Sequence, residues 1–167
     1  MATPRDIRRL AFQALYQLDA RPDETAERVL ESVAFDEEDE GGEFSVGERN
    51  KAVLLASSAF GERARADAFM ESIAPDWPVH RQAAVDRAIL RLAYFEMMST
   101  TTHPKIVVNE AVELAKTFST DKSPSFINGL LDKALKIALK ERGEEAGGEP
   151  EVPGSEPVRD EPAAPGV

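Results

Sequence analysis

The sequence predicts an all-α fold, a compact single-domain bundle of about six to seven helices over residues 1–142, followed by an acidic tail at residues 143–167. Three observations carry this. Apolar residues recur at the spacing one helix face can use, capping residues and prolines divide these patterns into segments, and 167 residues at 42% hydrophobic suit one domain with a real core. The densest run lies between Asp86 and Asp132, where two amphipathic patterns and the start of a third are joined by two polar turns.

The first helix begins at Thr3 or Pro4, a capping oxygen before a proline suited to the first helical position, and runs to about Leu18. Ile7, Leu10, Ala11, Ala14, Leu15 and Leu18 form its buried stripe. Arg5, Arg9, Phe12 and Tyr16 project from the opposite side, with Arg8 on the flank. After the turn at Arg21–Pro22–Asp23, a shorter helix spans about Thr25 to Phe35, with Ala26, Val29, Leu30 and Val33 inside. The run DEEDEGGE, residues 36–43, has no apolar residue and reads as a solvated loop.

Ser45 and Glu48 make a capping box, with Phe44 as staple, opening one helix to about Ile73 that buries Val46, Val53, Ala56, Phe60, Phe69, Met70 and Ile73. Pro75 and Pro78 end it, and a short turn of helix follows at Val79 to Gln82. Another strong helix spans about Ala84 to Met98. Ile106, Val107 and Val108 have strand-like content, but Ala111, Leu114, Ala115 and Phe118 continue Val107 at helical spacing, so helix wins after Pro104. Ser123–Pro124 reads as cap plus proline at the start of the last helix, which buries Ile127, Leu130, Leu131, Ala134, Leu135 and Ala138 and ends near Gly143. Gly129 inside it costs about 1 kcal/mol against alanine, a cost that a close approach of helix backbones would justify.

The chain has no cysteine, which removes disulfides, thiolate metal sites and a cysteine nucleophile. No run approaches the roughly 18 apolar residues of a membrane span, so a cytoplasmic, membrane-free protein is expected. Net charge is −11, but the tail holds seven acids against one base and contributes −6, leaving the helical part only mildly acidic. Catalytic signals are weak. His80 and His103 lack a partner histidine at metal-ligand spacing, Gly41–Gly42 sits among acids that repel phosphate, and Glu110 with Glu113 fits a solvated face. No metal, no cofactor and no enzyme are expected.

The strip on the first helix is more informative. Arginines contact phosphates and an exposed aromatic stacks bases, together a description of single-stranded RNA recognition. The residues alone leave a second reading open, in which Phe12 and Tyr16 pack beneath a neighbouring helix while the arginines are solvated. Composition favours the second. Phe126, beside Lys122 and Ser123, carries the same ambiguity.

The segments FQALYQ at 12–17, VDRAILRLAYFE at 85–96, VVNEAVELAKTF at 107–118 and SFINGLLDKA at 125–134 resemble the NusB family of transcription antitermination factors, in that family's order and spacing. The resemblance covers about residues 3–140. It implies a NusB-like all-helical fold without a catalytic site that binds the boxA element of ribosomal RNA transcripts together with NusE, a small-subunit ribosomal protein, near elongating RNA polymerase. It also implies RNA contacts at Arg5, Arg8 and Tyr16, and at Phe126 with Ser123, with Arg9 and Lys122 added as departures from the family pattern that bring positive charge. It places the NusE-facing surface at Asp86, and leaves a homodimer open. The alternative function is a helical protein–protein adaptor that does not touch RNA. An RNA-modifying enzyme ranks third, because the residues after the last helix do not accommodate a cofactor-binding domain.

Overall fold

A computed structural model describes residues 2–36 and 44–143. Among them are seven α-helices and no strand: α1 Pro4–Ala20, α2 Ala26–Asp36, α3 Val46–Gly61, α4 Arg63–Ile73, α5 Ala84–Ser99, α6 Pro104–Phe118 and α7 Ser123–Arg142, with a 3-10 turn at Val79–Arg81. The acidic loop expected at residues 36–43 and the tail lie almost wholly outside the described residues.

The organising element is α5. Its residues Ala88, Ile89, Leu90, Leu92, Ala93 and Met97 are all buried and cover an arc of about 200° of the helix wheel, wider than the stripe of a surface helix. It packs against α1 and α3 on one side, against α6 and α7 on the other, and against α4. Each fully buried leucine or isoleucine contributes about 1.5–3 kcal/mol relative to exposure, so this one helix carries a large share of the core.

Local signals fix the helix ends. Thr3 and Asp6 form a reciprocal capping box at α1, as Ser45 and Glu48 do at α3. Asp6, which interrupts the arginines in the sequence, is thus spent on the backbone. His103 Nδ1 accepts from the Lys105 N–H at 3.1 Å and caps α6. Gly143 ends α7 at φ 71°, the left-handed position that favours glycine.

Four expectations are corrected. The single helix from Ser45 to Ile73 is two: at Glu62 (φ −92°, ψ 5°) the ladder breaks beside Gly61, a poor helix former, while the Arg63 guanidinium donates to the Phe60 carbonyl at 2.8 Å and covers its ring. The break lets α4 turn onto α5 and α7. Val46, expected inside, is 77% exposed, since it sits in the first turn of α3 with that side toward solvent. Ser123 is the first residue of α7, not its cap, because its hydroxyl is engaged by Asp86. Gly129 meets no neighbouring backbone: a Cβ there would have nothing within 4 Å.

Candidate nucleic-acid interface

The arginine end of α1 lies against α6. Arg5 donates through Nε and Nη2 to Glu110, each at 3.0 Å, yet its own side chain is largely solvent-exposed. Solvent screens the Arg5 charge at this rim, so a phosphate can compete with the carboxylate for it. Arg8 behaves differently. Its Nε donates to both carboxylate oxygens of Glu96, at 2.9 and 3.0 Å, in the interior of the bundle, with Glu110 3.7 Å from Nη1. The sequence placed Arg8 on an outer flank; its side chain is buried, because Glu96 of α5 is buried too and needs a cation. Burial raises the Glu96 pKa more than the Arg8 charge lowers it. Arg9 is half-buried and, with Arg5, Glu113 and Thr117, lines a small cleft between α1 and α6.

One turn further along, Phe12 is buried and packs on Phe118 of α6 with ring centroids 5.0 Å apart. This corrects its place on the outward strip: the end of α6 covers that side of α1. Tyr16, the next aromatic on the same face, is past the cover and 44% exposed.

Two consecutive residues at the start of α5 hold this part of α1 beside the α6–α7 turn. Arg87 donates to Asp19 of α1 through Nε at 3.1 Å and to the Val79 carbonyl at 3.3 Å. Arg91, one turn on, bridges Asp19 and Asp67 of α4. Burial pushes the Asp19 carboxyl up, but hydrogen bonds and charge from Arg87 and Arg91 hold it below the ordinary range, so its stabilising effect is present at neutral pH and is lost as pH falls through the depressed value. Asp86 accepts from Ser119 Oγ at 2.7 Å and from Ser123 Oγ at 3.0 Å. Asp86, expected on a partner-facing surface, and Ser123, expected on the RNA surface, are both buried and bonded to each other, because the turn between α6 and α7 closes over the start of α5. Tyr16 therefore lies between two anchors: Phe12 on Phe118 before it, and Asp19 on Arg87 after it.

Lys122 and Phe126 remain outside. Lys122 is exposed and Phe126 is 47% exposed, its ring meeting that of Trp77 edge to face at a centroid distance of 3.9 Å. In the sequence Trp77 stands only between Pro75 and Pro78, the two prolines that end the preceding helix; nothing there links it to Phe126. The ion-paired set Arg87, Arg91 and Glu96 was also missed, although charged residues inside the most apolar stretch are a signal of buried pairing. Among the described residues no group of three or more His, Asp or Glu side chains has metal-binding geometry, and no helix is long and apolar enough to cross a membrane.

The model of the NusB family matches residues 5–136. The chain belongs to the NusB family. The NusB transcription antitermination protein of Geotalea uraniireducens is 38% identical over 145 residues, covering 82% of this chain and 97% of that protein. T. maritima NusB has the same fold, with a TM-score of 0.72 at 29% identity, covering 86% of this chain and 99% of that one. A crystal structure of the antitermination factors NusB and NusE in complex with dsRNA matches with a TM-score of 0.66 and 24% identity, over 80% of this chain and 96% of that chain, which shows the fold alone. The fold expected from the resemblance is the fold observed.

Proposed function

We propose that this NusB-family protein acts in transcription antitermination by binding boxA RNA of ribosomal RNA transcripts jointly with NusE, within an RNA polymerase antitermination complex. The observation that carries the RNA surface is the pair of large aromatics left exposed: Tyr16 on α1, one turn before Asp19, which Arg87 holds, and Phe126 on α7, one turn after Ser123, which the neighbouring Asp86 holds. A base stacked on such a ring gains about 1–3 kcal/mol. Arg5, Arg9 and Lys122 supply exchangeable phosphate contacts, whereas Arg8, Ser123 and Asp86 act from within, by holding α1, α5 and the turn in register. The protein is a binding scaffold with no bond-making step.

With a net charge of −11, the chain binds boxA weakly alone and more tightly beside NusE. A salt-titrated boxA binding measurement with and without NusE tests this, and equal affinities under both conditions contradict it. Unchanged RNA affinity in a folded Tyr16→Ala variant favours the protein-only adaptor instead.

A further inference from the structure

The last helix carries a second feature that the boxA reading does not use. At about 100° per residue, Lys122, Phe126, Gly129, Lys133, Lys136 and Lys140 fall within about 80° of one another, on a face of α7 that is exposed at every one of these positions. With a rise of about 1.5 Å per residue this face is a track about 27 Å long. Its near end is continuous with the candidate interface, since Lys122, Phe126 and Lys133 line one shallow groove together with Ser125 and Leu130. Gly129 adds no side chain between Phe126 and Lys133, so the backbone there is open to a ligand. Two acids flank the track: Asp132, paired with Lys136 at 3.4 Å across solvent, and Glu141. An exposed pair of that kind is worth a few tenths of a kcal/mol and yields to a phosphate.

We propose that the outer face of α7 is an RNA track that takes single-stranded nucleotides flanking boxA, with Phe126 as the stacking end and Lys133, Lys136 and Lys140 as successive phosphate contacts. The occupant is RNA by charge and by continuity: the lysines present donors along the face with carboxylates only at its flanks, Asp132 and Glu141, and the strand that reaches Phe126 is already at the first lysine. This inference rests on the boxA reading and extends it to sequence outside the element.

The test uses the full-length chain with NusE and three RNAs: boxA alone, and boxA extended by about six uridines at either end, a length within single-strand site sizes. One extension, at whichever end leaves Phe126, is expected to raise affinity about tenfold at low salt. The triple variant Lys133→Gln, Lys136→Gln, Lys140→Gln is expected to lose that gain, to lower the salt slope for extended RNA by about two, and to bind unextended boxA as the parent does. Equal affinity for all three RNAs, or a gain that survives the triple variant, overturns the track while leaving the boxA reading in place. No binding to boxA itself overturns the reading on which the track rests. If removing residues 144–167 gives unextended boxA the same gain, and only when the three lysines are present, the face serves the chain's own acidic segment and the RNA assignment is overturned.

Discussion

The two ends of the candidate interface use charge in opposite ways. At the start of α1, charged side chains are drawn into contacts within the protein: Arg8 neutralises buried Glu96, Glu110 holds Arg5 at the surface, and Asp6 caps the helix. At the start of α7 the internal contacts are made by small hydroxyls, Ser119 and Ser123 on Asp86, and the cation and the aromatic, Lys122 and Phe126, stay outside. A basic residue in a sequence motif is therefore no guide to its availability. What decides it is whether a neighbouring element brings a carboxylate that burial would otherwise leave uncompensated.

The sharpest way to break this contrast is Arg8→Ala. It strands Glu96 in the interior and is expected to cost about 3–5 kcal/mol in urea unfolding, with Glu96→Gln restoring part of the loss. A cost below about 1 kcal/mol would mean that Arg8 is effectively solvated and belongs with the outer cations. Ser123→Ala removes one of the two hydroxyls on buried Asp86 and is expected to cost about 1–3 kcal/mol, read in the same experiment. At Gly129 the sign reverses: Gly129→Ala adds a methyl into open space on an exposed helix face and is expected to stabilise by up to about 1 kcal/mol. Measured destabilisation there would point to a backbone contact absent from the structure. The smallest stability effect belongs to Arg5→Ala, whose melting temperature should stay close to the parent's, whereas the salt slope of boxA binding should fall by about 0.7.

The same contrast explains what was legible in the sequence. Helix type and most core positions follow from period and caps, which are local: the start of α1 at Thr3–Pro4, Ser45 with Glu48 and the stripe of α6 all appear as expected. The Gly61–Glu62 break escaped because a helical period continues across it, and only the packing of α4 on α5 and α7 requires the change of direction. At the interface, the period placed Phe12 and Tyr16 on one face and could not tell them apart. Their difference arises from where α6 stops, 106 residues away from Phe12 at Phe118, so one ring is covered and the next is not. Arg8, Asp86 and Ser123 were misplaced for the same reason, since their partners are distant in the chain and a single helix wheel carries no record of them.

The central claim is that Tyr16 and Phe126 bind one strand of RNA together. The most direct test is boxA affinity of the complex with NusE for Tyr16→Ala, Phe126→Ala and the double variant, with folding checked by circular dichroism. Each single change is expected to cost about 1–3 kcal/mol of RNA binding while the unfolding midpoint moves little for Tyr16→Ala and modestly for Phe126→Ala, which also loses its edge-to-face contact with Trp77. RNA affinity unchanged in a folded double variant would contradict the account.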